Sequence, residues 1–215
     1  MDPIQKLTEY FLKFPGIGRR QARRFVYHLL SKDQKYLSGF SDLIAEIKKD
    51  ISECSSCHRF FSSKTAPEKL CDICKDATTD TETIMVVEKD FDLENVRKSG
   101  AYSGRYFVLG GTLPFLDKNP NESIRAKTLF DEVEKGLTAS NAQAGGKTKI
   151  LKEVILALSA NPEGEHTALY VKKILEPLAE KYQFKISVLG RGLSTGTELE
   201  YSDSDTLKNA FKNRG

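Results

Sequence analysis

The sequence predicts a multidomain α/β protein in which a helical N-terminal module and a small metal-binding finger precede a mainly parallel sheet. Three observations predict it: two helical patterns joined by a Pro-Gly turn, two closely spaced cysteine pairs, and short β-rich runs that alternate with helical patterns. A glycine-rich tail and a last helix follow the sheet. With 215 residues and 39% hydrophobic residues, the chain can bury one sizeable core and one or two small modules.

The first module is predicted by two helices that flank a proline-glycine turn. An Asp-Pro pair near the N-terminus is typical of a helix start, and Phe-Pro-Gly-Ile-Gly at residues 14–18 ends this first helix. The order is typical of a helix-hairpin-helix, in which Gly16 and Gly18 allow a tight turn whose backbone N–H groups point at a phosphate. A third amphipathic helix leads to the first cysteine pair. We expect this DNA-binding module to span residues 1–53.

Positive charge is concentrated in this module. The formal net charge of the whole chain is +3, whereas residues 1–36 hold eight Lys or Arg against three Asp or Glu. Four arginines lie on the first turns of the second predicted helix, off its apolar stripe: Arg19, Arg20, Arg23 and Arg24. They are placed to contact phosphates on either side of the turn, which predicts salt-dependent DNA binding without sequence preference. A solvated helix face after an ordinary loop is the alternative.

The cysteines predict a metal site. All four cysteines of the chain lie in two C-x-x-C pairs separated by thirteen residues: Cys54, Cys57, Cys71 and Cys74. This spacing is typical of a closed tetrahedral four-thiolate site, and four soft ligands favour a structural Zn²⁺. His58 could compete as a ligand, and two disulfides are a further alternative, although disulfides are rare in reducing compartments. We expect a zinc finger over residues 54–75.

The third part is predicted over residues 82–190. Its β-rich runs lie at 84–87, 106–109, 154–158 and 184–189, with helical patterns around 92–99, 123–136 and 166–181. Alternation of this kind predicts a mainly parallel sheet, whose ligands bind at the carboxyl ends of the strands. Four carboxylates fall at that edge: Glu88, Asp92, Glu163 and Glu165.

A glutamate at one strand end and an acidic pair after another strand resemble the arrangement of a Toprim domain, which holds Mg²⁺ during phosphoryl transfer. Here Glu-Gly-Glu stands at residues 163–165 in place of the usual Asp-x-Asp. Mg²⁺ at this cluster is therefore a possible cofactor, and solvated loop charges are the alternative.

The sequence carries no pattern of a secreted or membrane protein. The N-terminal MDPIQKLTEY lacks a long apolar run after a basic start, and the longest apolar runs, at 84–87 and 155–158, are far too short to cross a bilayer. We therefore expect a cytoplasmic protein without a signal peptide or membrane contact.

An ordered set of motifs connects these parts. They are residues 14–18 with Ala22 and Arg24, the four cysteines, 85–88, 103–109, 163–170, and 196–203 with Thr206 and Leu207. Together they cover nearly the whole chain, and in this order they resemble the bacterial recombination mediator family RecR. Segments 110–120 and 192–196 depart from the family's usual sequence.

The resemblance implies a non-enzymatic DNA-binding factor of recombinational DNA repair that is associated with the nucleoid. Such proteins form ring-like dimers or tetramers able to encircle DNA, and with RecO and often RecF they promote loading of RecA onto gapped DNA coated by single-strand-binding protein. By position, Arg20 and Arg24 match the hairpin residues that contact DNA. The four carboxylates match an acidic cluster that engages partners and DNA, and residues 191–215 match an oligomerisation or Walker B-like tail. A Mg²⁺-dependent Toprim nuclease or primase-like enzyme is the alternative.

Overall fold

The computed structural model describes residues 2–63, 69–116, 120–142, 151–190, 192–193, 196 and 198–212. The chain divides into two structural units, one made of residues 1–52 with 62–64 and the other of residues 53–61 with 65–215. In the part of the chain that is described, no helix is long and apolar enough to cross a membrane.

The first unit is helical and contains α1 (Pro3–Phe11), α2 (Arg19–Leu30) and α3 (Gln34–Asp50). Asp2 caps α1 by accepting a hydrogen bond from the Ile4 N–H at 3.2 Å, and proline occupies the start of the helix. Helices α1 and α2 pack together, with the ring centroids of Phe11 and Phe25 5.4 Å apart. The predicted helix, turn and helix are therefore present.

The predicted apolar faces are only partly buried in this unit. Ala22 and Val26 of α2 are fully buried, whereas Leu30, which the helical spacing placed on the same face, is exposed. The apolar stripe of α3 is exposed along its length, at Phe40, Leu43, Ile44 and Ile47. Helical periodicity correctly identifies an apolar stripe, but a unit of three helices offers too little surface to cover all of it.

In the order of the chain, the finger follows the helices and precedes the main sheet. Strands β1 (Ile51–Glu53) and β2 (Phe60–Ser62) form a two-stranded sheet, and the short helix α4 (Asp72–Lys75) carries the last cysteine. The main sheet and its helices follow: β3 (Asp80–Val87), α5 (Asp90–Ser99), β4 (Gly104–Val108), α6 (Pro120–Ser123), α7 (Ala126–Ala142), β5 (Glu153–Ala157), α8 (Pro162–Tyr182) and β6 (Lys185–Val188). The tail contains a 3₁₀ turn (Leu199–Tyr201) and α9 (Ser204–Lys212).

The main sheet has the strand order β4-β3-β5-β6, and all its described pairings are parallel. Strand β3 begins at Asp80, inside the polar run that precedes the first predicted strand. Backbone pairing explains the difference: the Asp80 N–H donates to Ser103 O at 3.0 Å, and the Lys152 N–H donates to Glu82 O at 2.7 Å. The predicted α/β fold with a mainly parallel sheet is confirmed.

The central strand β3 is buried on both faces. Ile84 and Val86 belong to the larger core cluster, which also contains residues of α7 and α8. Met85 and Val87 alternate with them and pack with Leu93 of α5 on the opposite face. Because parallel strands covered on both faces read as continuous apolar runs, residues 84–87 predict a strand without revealing its alternation.

Helix α8 begins earlier than its predicted start at residue 166. Asn161 caps the helix by accepting a hydrogen bond from the Gly164 N–H at 2.8 Å, and Pro162 occupies the first position. Glu163 and Glu165 therefore lie on the first turn of a helix and not in a loop. The helix N-terminus approaches the preceding loop closely, because a Cβ at Gly164 would lie only 2.0 Å from the Ser159 carbonyl oxygen.

We predict that Gly164→Ala destabilises the protein by about 1–3 kcal/mol, since the new methyl group can be accommodated only if the backbone moves. Gly136→Ala in α7 is the matched control, because its Cβ would meet only the end of the Arg105 side chain at 3.4 Å. The control should retain its stability or gain up to about 1 kcal/mol from the better helix propensity of alanine. Urea unfolding followed by circular dichroism measures both, and equal midpoints for the two variants would contradict the close approach.

Candidate metal centre, acidic edge and nucleic-acid interface

The four cysteines meet in space as their spacing predicts. Their Sγ atoms all lie within 4.8 Å of one another, and Cys57 Sγ is 3.6 Å from Cys71 Sγ. A tetrahedral site with Zn–S bonds of about 2.3 Å has sulfur–sulfur edges of about 3.8 Å, whereas a disulfide bond is about 2.05 Å long. All four thiols are free, and only Cys74 is partly exposed. The quartet therefore has the size and donor set of a single tetrahedral metal site, and the disulfide alternative is not observed.

Backbone hydrogen bonds form the two knuckles. The His58 N–H donates to Cys54 O at 3.0 Å, and the Lys75 N–H donates to Cys71 O at 3.0 Å. A further bond links the pairs, because the Cys71 N–H donates to Cys54 Sγ at 3.4 Å. His58 takes a left-handed backbone conformation with φ of 60° where the first knuckle turns.

His58 lies outside the group of metal ligands. Its Nδ1 is 2.8 Å from Glu53 Oε1, and its ring packs edge-on against Phe107 with centroids 5.2 Å apart. Glu53 also pairs with Arg125 at 3.3 Å. The histidine that could have competed with the thiols therefore helps to fix the finger on the sheet.

The crowded thiols alter one another's acidity. A hydrogen bond from Cys57, reinforced by those from Cys71 and Cys74, lowers the pKa of Cys54 far below that of a free thiol. The pKa of Cys57 is raised, chiefly because its thiol donates to Cys54. Metal ions bind the thiolate and not the thiol, so a lowered thiol pKa favours metal binding.

Backbone and side-chain contacts dock the finger on the sheet. The Val108 N–H at the end of β4 donates to Cys57 O at 2.8 Å, and the Phe60 N–H donates to Asp90 Oδ1 at 2.7 Å. Ile73 packs against both the cysteine cluster and the core on the α5 face. The finger and the sheet thus form one continuous structure.

A buried guanidinium strengthens this docking. Arg59 is 7% exposed and donates from Nη1 to Glu94 at 2.9 Å and from Nη2 to Asp72. Arg97 Nη2 donates to the second oxygen of Asp72 at 2.7 Å. Burial alone would raise the pKa of Asp72, but the hydrogen bond from Arg97 and the charge of Arg59 outweigh it and lower this pKa. No motif reveals Arg59, because its partners Asp72 and Glu94 lie 13 and 35 residues away in the sequence.

The acidic edge is organised around Glu88, which ends β3 and is 6% exposed. The Ser159 hydroxyl donates to its Oε2 at 2.6 Å, and the ammonium group of Lys89 lies 2.6 Å from its Oε1. Burial would raise the pKa of Glu88, but the hydrogen bonds from Lys89 and Ser159 outweigh this effect and lower it. Sequence reasoning missed both partners, since neither belongs to a spacing pattern.

The other carboxylates of the edge have their own local contacts. Asp92 Oδ2 accepts a hydrogen bond from the Lys89 N–H at 3.0 Å, which caps α5. Glu163 is exposed and accepts a hydrogen bond from the Thr112 hydroxyl at 3.3 Å. Glu165 is also exposed. Among the residues that the structure describes, only the cysteine quartet brings three or more His, Cys, Asp or Glu ligand atoms within range of one ion, so the four carboxylates do not form one shared cluster.

The four predicted DNA-contact arginines lie together. Arg19, Arg20, Arg23 and Arg24 are all exposed and line an open groove of 770 Å³ between α1 and α2. The groove is also lined by Asp2, Glu9 and Tyr27. Cationic side chains therefore converge on one surface of the helical unit, as their positions in the sequence predict.

The hairpin turn prepares this groove for an anion. Gly16 has φ of +74°, a conformation that glycine adopts without strain. Gly18 is the N-cap of α2 and supplies no side-chain cap, and the first helical bond of the turn runs from Ala22 N–H to Gly18 O at 2.9 Å. The N–H groups of the first turn are therefore available to an external acceptor, where the helix dipole also favours negative charge.

We predict that Cys54→Ser abolishes stoichiometric metal binding and lowers the melting temperature, because metal binding at such a site contributes to the folding free energy. Ser55→Ala is the matched control, since Ser55 lies in the same knuckle and its side chain is exposed. Elemental analysis of the purified proteins and thermal denaturation measure the two effects. A Cys54→Ser variant with full metal content and an unchanged melting curve would contradict the four-thiolate site.

Comparison with protein-family models gives three matches. Residues 4–48 match the RecR helix-hairpin-helix, residues 82–190 match a Toprim domain, and residues 192–214 match the RecR C-terminal segment. The helix-hairpin-helix and the Toprim domain expected from the sequence are thus confirmed.

Curated relatives agree with these matches. The recombination protein RecR of Lactobacillus acidophilus is 34% identical over 212 residues, which cover 99% of this chain and 96% of the relative. The recombination protein RecR of Bacteroides thetaiotaomicron is 35% identical over 211 residues, which cover 98% and 92%. That of Staphylococcus haemolyticus is 33% identical over 213 residues, which cover 99% and 96%. The resemblance drawn from the ordered motifs is confirmed, and the chain belongs to the RecR family of recombination proteins.

Proposed function

We propose that the protein is a non-enzymatic mediator of recombinational DNA repair that holds DNA in the arginine groove. With RecO, and with RecF where it takes part, it promotes loading of RecA onto gapped DNA coated by single-strand-binding protein. Membership of the RecR family supports the role in recombination. The observation that carries the DNA-binding proposal is the convergence of four exposed arginines on the uncapped N-terminus of α2.

The groove suits the phosphate backbone better than base edges. Guanidinium groups and helix N–H groups recognise phosphate oxygens, which are the same at every base pair. Each neutralised phosphate releases counterions, so that the logarithm of affinity falls by about 0.9 per contact for each tenfold rise in salt. Binding through this groove is therefore independent of sequence and sensitive to salt, as a mediator that acts at any gap requires.

The cysteine quartet holds Zn²⁺ in a structural role in this proposal. Four thiolates satisfy a tetrahedral ion and leave no position for substrate or water. Three of the four ligands are buried, and the finger is bonded to the end of β4. The ion then fixes the described part of the residue 54–75 segment on the sheet.

The protein assembles into a ring-like dimer or tetramer through its ends, the helical module at 1–53 and the tail at 191–215. Both ends expose apolar side chains: Leu43, Ile44 and Ile47 in α3, and Leu199, Tyr201 and Phe211 in the described part of the tail. Contiguous exposed apolar surface marks an interaction site, and closed symmetry satisfies such surfaces in every copy.

The acidic edge of the Toprim domain at 82–190 engages a protein partner or DNA in this proposal and does not catalyse phosphoryl transfer. Glu163 and Glu165 are exposed on the first turn of α8 and can pair with cations of a partner. A nuclease or primase would instead need carboxylates that share a divalent ion, and the geometry of Glu88 and Asp92 does not favour this alternative. Together these properties suit a cytoplasmic, nucleoid-associated protein.

We predict that the double charge reversal Arg20→Glu with Arg24→Glu raises the Kd for gapped DNA at least about tenfold and reduces the salt slope by about 1.8, the effect of two lost phosphate contacts. The matched control is Lys172→Glu with Lys173→Glu, which changes net charge equally at two exposed positions of α8. Fluorescence anisotropy across a salt series measures both quantities. Equal affinity of the two double variants would show that the groove is not the DNA site.

The absence of catalysis is tested by incubating the same protein and gapped DNA with Mg²⁺ and running the products on a denaturing gel. Intact strands are expected. New products that disappear in a Glu88→Ala variant would show that the acidic edge is an enzyme active site.

We predict that Ile47→Asp reduces the oligomer mass by half or more, because a charge in the exposed stripe of α3 would be buried in the interface. Ala45→Asp is the control, since it adds the same charge to the same helix away from that stripe. Light scattering coupled to gel filtration reports the mass. If Ile47→Asp keeps the wild-type mass, α3 does not form the interface.

A further inference from the structure

We propose that Lys89 is a built-in counter-ion that closes the acidic edge to divalent cations, so that this Toprim domain works with an ammonium group in place of Mg²⁺. The inference concerns the acidic edge alone and holds whether or not the arginine groove binds DNA. Three observations carry it: the contacts of Glu88, the position of Lys89, and the engagement of the neighbouring carboxylates.

Both oxygens of Glu88 are already engaged. Oε1 faces the Lys89 ammonium nitrogen at 2.6 Å, and Oε2 accepts the Ser159 hydroxyl at 2.6 Å. The carboxylate is 6% exposed, so little of it can be approached from solvent. Mg²⁺ needs oxygen ligands at about 2.0–2.1 Å in near-octahedral geometry and retains several waters. An ammonium group against Oε1 occupies the side of the carboxylate that Mg²⁺ would need, and its positive charge repels the ion.

The backbone presents Lys89 to Glu88. The Gly110 N–H donates to Glu88 O at 2.9 Å, and the Lys89 N–H donates to Asp92 Oδ2 at 3.0 Å at the start of α5. The lysine side chain therefore starts from a fixed point beside the carboxylate, although 66% of it is exposed. The hydrogen bond to Glu88 raises the pKa of Lys89, and the same contact lowers the pKa of Glu88. Both groups are thus charged near neutral pH.

The neighbouring carboxylates do not restore a cation site. Asp92 is used as the cap of α5, and Glu163 accepts a hydrogen bond from Thr112. Within the described part of the chain, no three of these carboxylates come close enough together to hold one ion. An ammonium group neutralises one charge but offers no coordination position for a phosphate or a water. The acidic edge consequently has exposed carboxylates that can recognise a partner, but it lacks the divalent metal ion that phosphoryl transfer would use.

The test uses the zinc-loaded full-length protein and Mn²⁺, a paramagnetic probe for hard divalent sites, with free Mn²⁺ measured by electron paramagnetic resonance. Wild type should show no saturable binding that depends on Glu88. Lys89→Met should bind Mn²⁺ at least about tenfold more tightly, because a carboxylate without its counter-ion becomes a ligand. Adding Glu88→Gln to Lys89→Met should remove the gain. Lys98→Met, which deletes an exposed lysine at the far end of α5, is the matched control and should behave as wild type.

Two results would overturn the proposal: Mn²⁺ binding by wild type that Glu88→Gln abolishes, or no gain in Lys89→Met. Zinc content and far-ultraviolet circular dichroism show whether each variant is folded. If Lys89→Met does not fold, the proposal is tested by comparing wild type with Glu88→Gln. Equal Mn²⁺ binding by these two proteins supports a closed site. A loss of Mn²⁺ binding in Glu88→Gln refutes it.

Discussion

The ion pairs of Arg59 hold the metal finger and the parallel sheet together. A guanidinium that is 7% exposed pairs with Asp72 beside the third cysteine and with Glu94 on α5. Arg59 keeps a second carboxylate when either Asp72 or Glu94 is removed, and both carboxylates are partly exposed, so losing one partner costs less than breaking a fully buried pair. The metal site and the sheet therefore stabilise each other, and the strand end that carries Glu88 rests on this combined structure.

Topology and local contacts determine different properties of the acidic edge. The parallel order β4-β3-β5-β6 places the carboxyl ends of the strands at one edge, which is why Glu88 and the start of α8 are neighbours. Topology does not decide what that edge does. The Ser159 hydroxyl and the Lys89 ammonium group take both oxygens of Glu88, and the same backbone would leave these oxygens available if either side chain were different.

The sequence predicts those features that depend on spacing within a short stretch. The thiol quartet, the hairpin glycines and the arginine face of α2 are of this kind, because C-x-x-C pairs and helical periodicity fix relative positions locally. Features set by distant partners were missed: β3 starts at Asp80 because of pairing to Ser103, and Arg59 finds Glu94 35 residues away. Lys89 was missed for a different reason. It is next to Glu88 in the sequence, but adjacency alone does not predict an ion pair, which depends on the conformation at the start of α5.

The chain places cations in three environments, and the environment determines what each cation can do. Arg59 is buried and pairs with two partly exposed carboxylates, so a new partner would first have to displace Asp72 or Glu94. Lys89 is mostly solvated but its partner is buried, which neutralises Glu88 without fixing the lysine rigidly. The arginines of α2 are exposed, and a phosphate can replace water around them at little desolvation cost. This last arrangement allows binding that is reversible and responds to salt, and for this reason we propose that DNA contacts the groove.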